Sequence, residues 1–238
     1  MHLIVFDVDE TLIETSTVDS ECFWQTAREI FRLPSNYTPW IEGLKDVTGL
    51  GILSQLCEQA LARKISASEL DQFRGRLVAM LEAAVRRNAK CIRAVRGAAD
   101  VLAAVRATAG FNAAIATGCF LPEAEFKLQT AGLLDPDIPI ASCDDARSRE
   151  EIMAISARKA VAKRGRNFSA VTYVGDGVWD FQAAQRLGWN FIGIGTGDAA
   201  ARLMRAGAAL VLPNFSPSEE FFDATSRAAI RRVRHPSP

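Results

Sequence analysis

Asp7 and Asp9 sit two residues apart at the end of the apolar run Leu3-Ile4-Val5-Phe6, with Thr11 just beyond them. Such a run suits a strand buried on both faces. Carboxylates at the end of a buried strand are costly unless a cation, a proton or a reaction accounts for them. Two further apolar runs end in polar groups, one at Thr117-Gly118 and one at Asp176, with Asp180 four residues later. Asp7, Asp9 and Asp176 brought into one cleft repel each other, and a hard divalent cation relieves the repulsion. Mg²⁺ suits oxygen ligands of this kind. A carboxylate beside Mg²⁺ can attack a phosphoryl group. A second acid can protonate the leaving group and later activate water. On an ideal strand Asp7 and Asp9 share one face. Asp9 therefore reaches the leaving oxygen only if the chain end carries it beyond Asp7.

The rest of the composition narrows the chemistry. The two histidines, His2 and His235, lie near the ends, which excludes a histidine triad and a histidine-rich metal site. Five cysteines at wide spacing, without a Cys-x-x-Cys pair, argue against a disulfide framework or zinc. They read as reduced thiols in a cytoplasm, and Cys119 as a small buried spacer. Lys+Arg and Asp+Glu balance at 28 each, so no global field draws nucleic acid or an anionic membrane. The short basic tail Arg231, Arg232, Arg234, His235 reads as a solvated terminus. No signal peptide or membrane-spanning run is visible.

The elements that must position these residues alternate. Strands are expected over Leu3–Val8, Phe111–Ala116, Ile138–Ser142, Ala170–Val174, Phe191–Ile194 and Ala208–Leu212. Helices are expected over Ala98–Thr108, from the Ser148 capping box to Arg164, over Asp180–Leu187, and from the capping box Ser216-Pro217-Ser218-Glu219 with Pro217 at the first helical position. This rhythm gives an α/β fold, a doubly wound and mainly parallel sheet of Rossmann-like kind. Its ligand sites lie at the carboxyl ends of the strands, where Asp7, Asp9, Thr117 and Asp176 fall. Residues 14–95 break the rhythm and read as an all-helical cap, with helices over Glu21–Phe31, Gly51–Ala62 and Ser66–Arg87 and a loop over Leu33–Trp40. The division is then 1–13 with 96–238 as core and 14–95 as cap. Asp144 and Asp145 read as loop acids. Trp40, Lys45 and Thr48 sit in the cap's loop region, as packing residues before substrate contacts.

Taken together, Phe6-Asp7-Val8-Asp9-Glu10-Thr11-Leu12, Ala114-Ile115-Ala116-Thr117-Gly118 and Val174-Gly175-Asp176-Gly177-Val178-Trp179-Asp180 resemble the first, second and fourth motifs of the haloacid dehalogenase superfamily of phosphohydrolases. The resemblance is nearest the phosphoglycolate-phosphatase-like branch, whose helical cap is inserted after the first motif. It implies Asp7 as nucleophile and Mg²⁺ ligand. Asp9 is implied as general acid/base with its backbone carbonyl on the metal, and Asp176 as the third protein ligand. It further implies Thr117 and the Gly118 amide as holders of the transferring phosphoryl group, and Asp180 as an outer residue that orients a metal water or the basic residue. Asp9 sets the chain apart from the dehalogenases of that superfamily, which lack this second acid. The third motif departs from the pattern, because no lysine opens the helix before Asp176. Arg149 stands first as the substitute in catalysis and phosphoryl binding, 27 residues before Asp176, ahead of Arg147 and Lys159. Arginine supplies charge and a bidentate fork but is not equivalent to lysine.

The reading is a cytoplasmic, Mg²⁺-dependent phosphatase of a small phosphomonoester, without nucleic-acid or membrane partners. Its oligomeric state is left open, homodimer included. The alternatives are a phosphomutase of the β-phosphoglucomutase type, a receiver-like domain that stores phosphate on aspartate, and a catalytically silent interaction protein.

Overall fold

The computed structural model describes residues 1–15, 17–34 and 43–234, without side chains beyond Ala228. The sheet begins with β1 (His2–Phe6) and β2 (Ile13–Glu14) follows. Three helices come next: α1 (Val18–Phe31), α2 (Gly49–Ala60) and α3 (Ala67–Arg87). After β3 (Arg93–Ala94) the chain alternates through α4 (Ala98–Ala107), β4 (Phe111–Ala116), α5 (Leu121–Thr130), β5 (Ile140–Ala141) and α6 (Arg149–Arg164). It ends with β6 (Ala170–Gly175), α7 (Val178–Arg186), β7 (Asn190–Ile194), α8 (Gly197–Ala206), β8 (Val211–Leu212) and α9 (Ser218–Arg234).

Six strands form one parallel sheet in the order β5-β4-β1-β6-β7-β8. Leu3, Ile4, Val5 and Phe6 are fully buried, as a central strand covered on both faces requires. Phe6 packs against Phe215 and Phe221. The chain leaves β1 and enters the sheet again at β4 on one side and β6 on the other. This is the switch point of a doubly wound sheet, where a crevice opens above the strand ends. Asp7, Thr117 and Asp176 each come directly after one of these three strands or at its last turn.

Four expectations are corrected. The first strand stops at Phe6, so Asp7 and Asp9 lie in the turn beyond it and not on the pleat. That turn is tight: the amides of Leu12 and Ile13 donate to the Val8 carbonyl, and Glu10 takes a positive φ of 53°. The stretch 14–95 is not wholly helical, because β2 and β3 pair antiparallel, Ile13 with Ala94 and Glu14 with Arg93. Two residues per strand are too few to show a period. Helices α5 and α8 were not expected; each is ten residues long. Pro217 lies just before α9 rather than at its first position.

The helical cap is built from ordinary signals. Thr48 caps α2 by accepting the Gly51 amide at 3.1 Å. Ser66 and Glu69 form a full capping box on α3. Phe23, Phe31, Phe73 and Leu77 pack α1 against α3, with Phe23 and Phe73 rings 5.1 Å apart. Phe73 also meets Phe120 of the core at 5.7 Å, so cap and core share apolar contact beside the crevice. The expected loop through Pro39 and Trp40, and the side chains of the basic tail, lie outside the described residues.

Candidate active site

A cavity of about 300 Å³ opens where the switch point meets the cap. Its floor holds Asp7, Asp9, Thr117, Gly118, Arg149 and Asp176. Four separate segments of the chain therefore converge as the sequence pattern expects.

Asp7 is 5 % exposed and accepts from Arg149 Nη1 at 3.3 Å. The same Nη1 lies 3.0 Å from Asp180 Oδ1, and Arg149 Nη2 donates to the Val47 carbonyl at 3.0 Å. Arg149 reaches this point because Ser148 caps α6 and places it at the first helical position, aimed at the strand ends. The other two candidates point elsewhere. Arg147 pairs with Asp46 and Glu58, and Lys159 with Asp145 and the Ile140 carbonyl. Asp180 has two tasks: Oδ2 accepts the Gly177 amide at the start of α7, and Oδ1 faces Arg149. Gly175 makes this packing feasible, since a Cβ there would meet Asp180 Oδ2 at 2.6 Å.

Oxygens of Asp7, Asp176 and Asp180 all lie within 4.8 Å of one another. Burial first, then the charge of Asp180, push Asp7 up to about 8. Burial and the same neighbours raise Asp176 well above the carboxylate range. Burial raises Asp180 as well, against the pull of Arg149. One guanidinium thus leaves this trio of acids under-compensated. An all-oxygen donor set of this kind fits a hard divalent cation and offers nothing to a soft one.

Asp9 turns away from this trio. Its two oxygens accept from Lys127 Nζ at 2.9 and 3.0 Å, and Oδ2 accepts from the Cys119 thiol at 2.7 Å. Lys127, on α5, is fully buried and also binds Asp19 of α1 at 2.5 Å and Glu123 at 2.6 Å. Sequence reading missed Lys127 entirely. The available signal was the Glu123–Lys127 spacing of four in a short helix with Pro122 in its first turn. Asp9, Cys119 and Glu123 also cluster tightly, but the Lys127 ammonium already occupies their midst. Cys119 is buried as expected, and burial with Asp9 beside it pushes its thiol far above the ordinary value, which makes it inert. Its thiol is more than a spacer, because it orients Asp9.

Thr117 Oγ1 accepts the Cys119 amide at 3.1 Å, which fixes its side chain at the end of β4. Below it the buried Tyr173 hydroxyl donates to the Ala116 carbonyl at 2.9 Å, a support no motif reveals. Gly118 accepts the Gly49 amide at 2.7 Å, and a Cβ on Gly118 would meet Arg149 Nη2 at 2.7 Å. Of the cap residues singled out in sequence, Thr48 lines the cavity and donates to the Arg147 carbonyl, while Lys45 is exposed away from it. Trp40 lies outside the described residues. Asp144 and Asp145 pair with Arg74 and Lys159 and do not line the cavity.

Known structures share this arrangement of sheet and cap. A hydrolase from Pseudomonas syringae matches with a TM-score of 0.64 at 22 % identity, over 89 % of this chain and 93 % of that one. CbbY from Rhodobacter sphaeroides, solved with phosphate, matches with a TM-score of 0.66 at 20 % identity, over 90 % and 95 %. A mutant of that protein was solved with xylulose-(1,5)-bisphosphate. A putative β-phosphoglucomutase from Bacteroides vulgatus gives 0.64 at 16 % identity, over 96 % and 90 %. At these identities the likeness is one of fold. No curated protein matches the chain by sequence. No helix among the described residues is long and apolar enough to cross a membrane. The family model of haloacid dehalogenase-like hydrolases matches residues 1–188, which carry every residue of the cavity floor, and the chain belongs to that family.

Proposed function

We propose that the chain is a Mg²⁺-dependent phosphatase that hydrolyses a small phosphomonoester through an aspartyl-phosphate on Asp7. The observation that carries this reading is the gathering of Asp7, Asp176 and Arg149 on the floor of one cavity, with Arg149 bridging Asp7 and the buried Asp180. A bound Mg²⁺, held by Asp7, Asp176 and the Asp9 backbone carbonyl, would supply positive charge against the transferring oxygens.

Asp7 attacks phosphorus through one carboxylate oxygen, and the bond from phosphorus to the ester oxygen breaks. Asp9 gives its proton to that leaving oxygen. Burial raises the Asp9 carboxyl, the direction a general acid needs, while Lys127 opposes the shift. Water then attacks phosphorus and Asp9 takes its proton. The bond to Asp7 breaks, phosphate leaves, and the carboxylate returns. Thr117, the Gly118 amide and Arg149 hold the phosphoryl oxygens during both steps. The cap, which we place at 14–95 apart from the short β2–β3 ladder at its base, covers the floor through α1 and α2 and limits water to the one that reacts.

The test is phosphate release from a panel of phosphomonoesters with Mg²⁺ and with excess EDTA. Release that needs Mg²⁺ supports the reading, and release unaffected by EDTA contradicts it. The lifetime of the phosphoenzyme separates two activities on the same floor. Rapid clearance by water marks a phosphatase. A phosphoenzyme that persists until a sugar phosphate takes its phosphoryl group marks a mutase.

A further inference from the structure

Above the floor, the cavity wall is aromatic and aliphatic. Phe23 and Trp24 of α1 meet edge to face at 5.3 Å, and Phe23 is braced from behind by Phe73. Val47 and Ile52 continue this wall, and Trp179 stands at the rim with 39 % of its surface exposed.

Among the described lining residues, the charged groups above the floor are acids: Glu10, Asp19 and Glu123. Arg149 is the one cation among these described lining residues, and it serves the floor, on Asp7, Asp180, the Val47 carbonyl and, in the phosphatase reading, the transferring phosphoryl group. Lys127 has no exposed surface and is spent on Asp9, Asp19 and Glu123 behind the wall. Within 14–95, the residues whose placement is not described, Ser16 and 35–42, contain no Lys, Arg or His.

We infer that this site takes phosphomonoesters whose alcohol carries no second anionic group, uncharged or cationic, with an apolar or aromatic face. The inference rests on the phosphatase reading above. A second phosphate or a carboxylate would leave water for a wall whose described residues offer several carboxyls and no counter-ion above the floor. Burying an uncompensated anion is strongly unfavourable. Sites that hold such groups present Arg or Lys forks to them. Here the wall offers ring faces instead, which stack on flat groups and attract cations.

Matched pairs test this, each differing by one anionic group. They are phenyl phosphate with para-carboxyphenyl phosphate, glycerol phosphate with phosphoglycerate, and ethyl phosphate with phosphoglycolate. The expected result is kcat/KM at least about 100-fold lower for the anionic member of each pair. A para-trimethylammonio phenyl phosphate should match or exceed phenyl phosphate. Equal or faster turnover of the anionic members overturns the inference while leaving the phosphatase reading intact. No phosphate release from any compound overturns the phosphatase reading, and the inference falls with it. An independent arm places a cation on the wall. Ile52→Arg should raise the ratio of carboxyphenyl to phenyl turnover at least about tenfold, and Ile52→Gln should not. An unchanged ratio in Ile52→Arg, with the protein folded, counts against the wall as the selector.

Discussion

Among single residues, Lys127 is the one whose removal should cost most. It sits with no exposed surface among Asp9, Asp19, Glu123 and the Cys119 thiol, and its charge offsets carboxylates drawn from both core and cap. Lys127→Met leaves those acids buried without their partner. Removal of one side of a buried ion pair costs on the order of 3–5 kcal/mol. Urea unfolding should therefore show a large drop in midpoint, and a change under about 1 kcal/mol would mean that the acids are already neutral without Lys127. The motif acids were legible because type, order and spacing are local properties. Lys127 was not, because it is 118 positions from Asp9 and only the sheet order brings α5 beneath the first turn. Arg149 was legible as a position at the head of α6. It already stands ahead of Arg147 and Lys159 in the sequence, and the side-chain directions add that Arg149 faces Asp7 while the other two point elsewhere.

At the scale of elements, the strands of the sheet and the long helices were readable from apolar runs and caps. What escaped were elements too short to carry a period, β2 and β3, and two ten-residue helices that follow Thr117-Gly118 and Gly195-Thr196, whose N-cap residues Phe120 and Thr196 make no side-chain cap of their own. The junction of β4 with the cap is tight. Gly118→Ala would push a methyl against Arg149 and toward Thr48. Its expected outcome is a fall in kcat of at least about tenfold with an unchanged circular dichroism spectrum, since Arg149 moves before the fold does. Wild-type activity in Gly118→Ala would show that Arg149 can leave its place without cost. On α3, Arg63 first and then the Ser66 cap lower Glu69 to about 2. A carboxylate depressed from its ordinary value of 4.5 adds stability above that pH. That contribution should fade as pH falls from 4.5 toward 2 and be absent in Glu69→Gln. The Ser66 cap, worth about 1 kcal/mol, is kept in Glu69→Gln, because glutamine also serves a capping box. Acid unfolding curves of the two proteins should converge at the low end of that window and separate above it.

For the whole molecule, the site is a place where folding stores repulsion. Asp7, Asp176 and Asp180 are gathered by two strand ends and one helix, and a single guanidinium faces them. A divalent cation bound there stabilises the folded state alone. Mg²⁺ at about 100 times its Kd should add about 2.7 kcal/mol. In a chain of this length that raises Tm by several degrees, roughly 2–4 °C for each kcal/mol. Asp176→Asn should lose most of that rise, and an equal rise in the variant would place the cation elsewhere. The central claim is that Asp7 takes the phosphoryl group. The most direct measurement is Mg²⁺-supported phosphate release by wild type and by Asp7→Asn under identical conditions, on the best substrate of the panel. A loss of about a thousandfold or more in kcat, with Tm retained, is the expected result. Phosphate release by Asp7→Asn at the wild-type rate would contradict it.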